Sequence, residues 1–284
     1  MEPSLALRAG IGIVIIVVAA IFAAKRAWFL TSLIRSGQPA VGRTSEVPTR
    51  LEAEATEVLG QKKLLKWTVP GIAHVFVFAG FLILGITVVE AVFELFIHGF
   101  AFPFIGTWPV IRFLEDLFIL LVFVGVVIFL IIRLRNQPKE RGRWSRFYGS
   151  HTSGAWLVLG MILLVILTLA LYRGAKINIE DYAGDAAAAG MTGAFVSQAV
   201  ASLLAPLGAV TNAWLETIGL WLHVGVILAF LLIVLNSKHL HIFTAPINVG
   251  ASRRPDALGP LLPMYSDGQR LDLEDPPDDA TYGV

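Results

Sequence analysis

The sequence predicts an all-α, polytopic membrane protein, a bundle of about five transmembrane helices with its N-terminus outside and its C-terminus cytoplasmic. Three observations lead there. Of 284 residues, 56% are hydrophobic and only 15% charged, a composition suited to lipid rather than to water. The apolar residues gather into five runs, each long enough to cross a hydrocarbon core of about 30 Å. Charge is segregated between the runs: two of the connecting loops are rich in Lys and Arg, and the other two are not.

The first run covers residues 10–34 and is interrupted by Lys25 and Arg26. Because AWFLTSLI resumes the apolar character after that pair, it is expected to be an uncleaved span rather than a signal peptide. Residues 35–66 are polar, and residues 49–67 are expected to form a helix along the membrane surface. The second span, residues 69–97, carries His74, Glu90 and Glu94, and leads through the aromatic turn HGFAFPFIGTWP to the third, residues 110–132. A strongly basic loop, RLRNQPKERGRWSRFYGS, precedes the fourth span at residues 151–172. After a mildly acidic stretch, residues 194–204 form a short amphipathic helix before the fifth span, residues 212–237.

Orientation follows from the loops. Arg35, Arg43, Arg50, Lys62, Lys63 and Lys66 lie between spans one and two; Arg133, Arg135, Lys139, Arg141, Arg143 and Arg146 lie between three and four. The positive-inside rule puts both loops in the cytoplasm and the chain in the cytoplasmic (inner) membrane. Residues 1–249 thus make a membrane domain. Residues 250–284, rich in Pro, Gly and Asp, make a linker or disordered tail.

The absence of cysteine excludes a thiolate-held iron–sulfur cluster, covalently attached c-type haem, a zinc ribbon and disulfides within this chain. A formal net charge of +1 without a basic face gives no nucleic-acid partner. No phosphate-binding glycine loop, dinucleotide fingerprint or Ser/His/Asp arrangement is present.

The informative residues are histidines. The stretch WLETIGLWLHVGVILAFLLIVLNSKHLHIF holds His223, His239 and His241. If one helix runs through it, His223 and His241 share a face about 27 Å apart, with His239 nearly opposite. An imidazole within a bilayer is costly unless bonded or ligated, so the pattern points to axial ligation of b-type haem, or else to hydrogen bonds between helices. Depth counted from the basic loops pairs His74 with His223 near mid-membrane and His151 with His241 nearer the cytoplasm, which makes two haems. The competing arrangement pairs His74 with His241. His98 suits the outer interface. Glu90, Glu94, Arg112, Glu115, Asp116 and Glu216 gather toward the outer side, either as satisfied interfacial groups with Arg112 paired to a carboxylate, or as a proton path or quinone-head pocket.

With His74 early in span two and His223 and His241 in span five, the chain resembles the haem-b membrane subunit (gamma) of respiratory nitrate reductase and the related subunits of heterodisulfide-reductase-like enzymes. Through GIAHVFVFAGF and SKHLHIFTAPINV it also resembles the N-terminal membrane portion of actinobacterial iron–sulfur oxidoreductases. The resemblance covers about residues 10–249. It implies a membrane cytochrome b that passes electrons between a cytoplasmic iron–sulfur subunit or domain, fed by electron-transfer flavoprotein, and menaquinone. The nitrate reductase subunit has two histidines in span two, so here His151 must supply the missing ligand or there is one haem. No cysteine-rich domain follows, so the chain is expected to be a separate subunit or a fragment ending in the linker. The rival expectation is a haem-free membrane anchor or assembly subunit.

Overall fold

The computed structural model describes residues 3–37, 42–150, 152–183, 193–252, 265–266 and 269–270. It is built of helices α1 (Leu5–Arg35), α2 (Val47–Ala53), α3 (Thr68–Glu94), α4 (Pro109–Arg135), α5 (Pro138–Arg141), α6 (Thr152–Ala183), α7 (Phe195–Leu204), α8 (Ala209–Leu235) and α9 (His241–Gly250). The β structure among the described residues is one two-residue antiparallel pairing, Tyr265–Ser266 with Gln269–Arg270.

Five of the helices, α1, α3, α4, α6 and α8, are long and apolar enough to cross a membrane. At 1.5 Å per residue the shortest of them are about 40 Å long, more than the hydrocarbon thickness requires. Helices are the natural answer for such runs, because each span must bond its own backbone groups where no water can. The spans alternate in direction. The start of α1 meets the end of α3 and the start of α8 through Arg8, Glu94 and Glu216. At the other end, Arg43 and Arg50 meet the chain leaving α9. Both basic loops therefore lie at this second end, called here the basic end.

α6 packs on α8, α3 on α4, and α1 along α8; α4 with α6 and α3 with α8 close the bundle. The core between them includes Leu95, Ile119, Val126, Leu169, Leu220 and Val224. Two glycines set the approach of these pairs. A Cβ on Gly125 would stand 2.8 Å from the Ala73 carbonyl oxygen, and one on Gly219 would stand 3.1 Å from the Tyr172 Cα. Large apolar side chains such as Ile21, Phe22, Leu82 and Leu222 point outward, as lipid-facing residues should.

Three expectations need correction. The fifth span, expected at residues 212–237, ends at Leu235, so the one continuous helix that would put His223 and His241 on a single face does not form. Asn236 and Ser237 leave helical geometry, and the Ser237 hydroxyl accepts from the His239 amide at 3.2 Å, opening a short turn over Lys238–Leu240. Short polar side chains offer the backbone local hydrogen bonds that compete with the helix, which is why the helix does not run on to His241. The fourth span, expected to end at residue 172, continues as helix to Ala183. Arg173, Lys176 and Asn178 on this extension are buried instead of solvated, because partners inside the bundle compensate their desolvation. The surface helix expected over residues 49–67 is broken into α2, a π-helical stretch Glu54–Leu59 and a 3₁₀ turn Leu64–Lys66. The short helix expected at residues 194–204 is present as α7. Most of the tail, residues 250–284, lies outside the described residues.

Candidate functional site

His74 sits on α3 about 10 Å from its start at Trp67. It is half-buried, and its Nδ1 is enclosed with no hydrogen-bond partner among the described residues. The imidazole of His241 lies within electrostatic reach of it. The break at Asn236–Ser237 ends α8 before His241 is reached. His241 donates its Nδ1–H to the Lys238 carbonyl at 3.3 Å. Since a carbonyl can only accept, that contact fixes the tautomer and leaves the Nε2 lone pair available. The His239 and His241 rings are 6.1 Å apart, tilted by 48°, and His239 exchanges a hydrogen bond with the Ser237 hydroxyl at 3.3 Å. Burial, and then the neighbouring His241 and Lys238 charges, hold His239 below the usual imidazole range.

His223 is fully buried. Its Nδ1–H donates to the Val165 carbonyl at 3.2 Å, with the Thr168 hydroxyl at the same distance. Its Nε2 is thereby left bare, without a hydrogen-bond partner among the described residues. His223 and His74 are far apart in depth. Glu94 and Glu216 both meet Arg8; His74 is about 30 Å along α3 from Glu94, and His223 only about 10 Å along α8 from Glu216. The two imidazoles thus differ in level by about 20 Å along the bundle. The described residues thus do not bring His74 and His223 to one level, whereas His241 lies within electrostatic reach of His74. Nor do His223 and His241 share one helical face, since α8 ends between them. His151 lies outside the described residues.

The end opposite the basic loops holds a buried ionic network. Arg8 contacts Glu216 directly, approaches Glu94 at 3.9 Å and donates to His98 Nδ1 at 2.8 Å. Lys176 bonds Glu94 at 3.0 Å; Arg173 bonds Glu115 at 2.6 Å and lies 3.8 Å from Asp116. Asp116 in turn accepts from the Ser197 amide and hydroxyl at 2.8 and 2.9 Å, tying α7 to α4. Glu90 accepts from the Phe102 amide at 2.7 Å, and Arg112 donates to the Gly106 carbonyl at 3.2 Å. The carboxylates were legible in the sequence as a cluster. Their main cations were not: Arg8, Arg173 and Lys176 stand just where apolar runs begin or end, the usual place for solvated interfacial charges. Glu94, His98 and Glu216 converge closely enough to hold a metal ion, but the Arg8 guanidinium reaches all three and already supplies the positive charge.

No family model matches the chain, and no solved structure matches it. The chain is similar to the "Probable iron-sulfur-binding oxidoreductase FadF" of Bacillus subtilis (strain 168), 28% identical over 211 residues. These cover 73% of this chain but only 28% of that protein. The likeness is to a redox protein, and this chain spans a little over a quarter of its length.

Proposed function

We propose that the chain is a multi-pass protein of the cytoplasmic membrane, a cytochrome b that carries electrons between an iron–sulfur partner at its basic end and menaquinone. The observation that supports the reading is that His241 lies within electrostatic reach of His74, whose enclosed Nδ1 has no hydrogen-bond partner among the described residues, and that the His241 Nδ1–H contact with Lys238 leaves its Nε2 lone pair for a ligand. A porphyrin iron takes two such nitrogens, one on each face. The residues fit haem b on that ground: His74 from α3 and His241 from the start of α9 would hold it, and His239 in the turn before it offers an alternative donor. When bound, the haem supplies reversible one-electron chemistry.

The chain's own contribution is to hold the ligands. The Lys238 carbonyl orients His241, and the same contact makes its Nε2 more basic. The Gly125–Ala73 approach fixes α3 against α4 beside His74, so that the imidazole cannot drift. Apolar walls exclude water and so raise the cost of charge on the iron, which tunes its potential. His223, with its bare Nε2, is a second donor at another level, but the groups around its ring are Thr168 and Val165. One haem at His74 and His241 is therefore the reading adopted here, rather than two.

The similarity to an iron–sulfur-binding oxidoreductase supports an iron–sulfur subunit or domain as the electron partner, with electron-transfer flavoprotein upstream. Arg50 steadies the chain after α9 by donating to the Gly250 and Ser252 carbonyls at 2.6 and 2.8 Å.

The test is a reduced-minus-oxidised absorption spectrum of the purified protein, with haem stoichiometry by pyridine haemochrome. A b-type alpha band at one haem per chain, abolished in His74→Ala and in His241→Ala, is the expected result. A colourless protein would instead make the chain a haem-free anchor or assembly subunit.

A further inference from the structure

Where α4 leaves the bundle and α6 enters it, a cavity of about 270 Å³ opens at the basic end, lined by Arg133, Gln137, Pro138, Lys139, Phe147 and Trp156. The Arg133 guanidinium lies over the Phe147 ring, 4.3 Å from its centroid. Stacking of this kind fixes the plane of the cation and leaves its N–H edge free to recognise an acceptor. That edge is unused: Nη1 is enclosed and has no hydrogen-bond partner among the described residues. A buried guanidinium donor without an acceptor is costly. Favourable interaction with the helix dipole explains an arginine in the last turn of α4, but it explains neither the cavity nor the bare nitrogen.

The surroundings select the acceptor. From Arg133 to Ser150 the chain carries six Lys or Arg residues against the single acid Glu140, so an anion is favoured. Trp156 belongs to the interfacial zone, where indoles mark the head-group level. Leu134 and Leu157, next in sequence to two of the lining residues, are exposed to the lipid side. The cavity thus presents a charged floor at head-group depth beside an apolar wall. We infer that this cavity is a binding site for an anionic phosphate group, the head group of an acidic phospholipid whose acyl chains run along α4 and α6. Arg133 donates to the phosphate in a fork, and Lys139 adds a second, mobile charge.

The test uses the full chain purified in neutral detergent, with the unfolding midpoint followed as ligand is added. Phosphatidylglycerol is expected to raise the midpoint by about 3 °C or more, and phosphatidylcholine to leave it unchanged. Arg133→Gln should abolish the response, and Arg143→Gln, outside the cavity lining, should keep it. Sodium phosphate at matched concentration separates the sources. An equal, Arg133-dependent shift assigns the site to free phosphate; no shift assigns it to lipid. Equal responses to both lipids, or an Arg133→Gln protein that responds like the parent, overturn the site. Should Arg133→Gln fail to fold, Lys139→Gln takes its place, altering an exposed side chain; its response should fall by about half, and an undiminished one overturns the site.

Discussion

His74 and His223 are both imidazoles among apolar side chains, and both keep a nitrogen with no hydrogen-bond partner among the described residues. What separates them is their surroundings: a second imidazole within electrostatic reach of His74, a hydrogen-bonded carbonyl and hydroxyl for His223. His223→Gln is accordingly expected to leave the alpha band of the purified protein in place, while His74→Ala removes it; a band lost in His223→Gln would move the haem to the other level. Arg8 offers a second test. Its removal by Arg8→Met leaves Glu216 and Glu94 buried with less compensation, and breaking a buried pair in this way costs about 3–5 kcal/mol. A midpoint lowered by many degrees in thermal unfolding is the expected outcome. The histidine set and the carboxylates were legible because such residues are rare and expensive in apolar runs. Arg8, Arg173 and Lys176 escaped because a cation at the end of an apolar run looks the same whether it faces water or a carboxylate.

At the level of elements, the break between α8 and α9 decides the candidate site. Ser237 holds it by accepting from the His239 amide, the role that short polar residues take at helix starts. Ser237→Ala should cost about 1 kcal/mol, and by loosening the turn it should broaden or shift the alpha band without abolishing it. The α6–α8 contact depends on Gly219 lying against the Tyr172 backbone. Gly219→Leu must push the two helices apart, at a cost of about 1–3 kcal/mol or more, visible as a lowered unfolding midpoint. The extension of α6 to Ala183 shows why hydropathy found the span but not its end. Arg173 and Lys176 lower the apolar average, yet their partners Glu115 and Glu94 come from α4 and α3, and no window along α6 contains them.

The whole molecule has an electrostatic polarity: loops rich in Lys and Arg at one end, a neutralised buried network at the other. If the basic end faces the cytoplasm, a fluorescent protein that matures only there should be bright when fused to the C-terminus and dark when fused to the N-terminus of this chain. The reverse pattern would invert the expected orientation and put the proposed iron–sulfur partner on the wrong side. By itself the sequence determined the class of the protein, the five membrane helices and the residue types able to hold a metal, because length, apolarity and charge segregation act locally along the chain. Only the tertiary structure decided that His74 and His223 lie at different levels, which cations neutralise the carboxylates and where the fifth span ends. Those outcomes depend on contacts between residues far apart in the sequence, Arg8 with Glu216 among them, and on a two-residue break that ends α8.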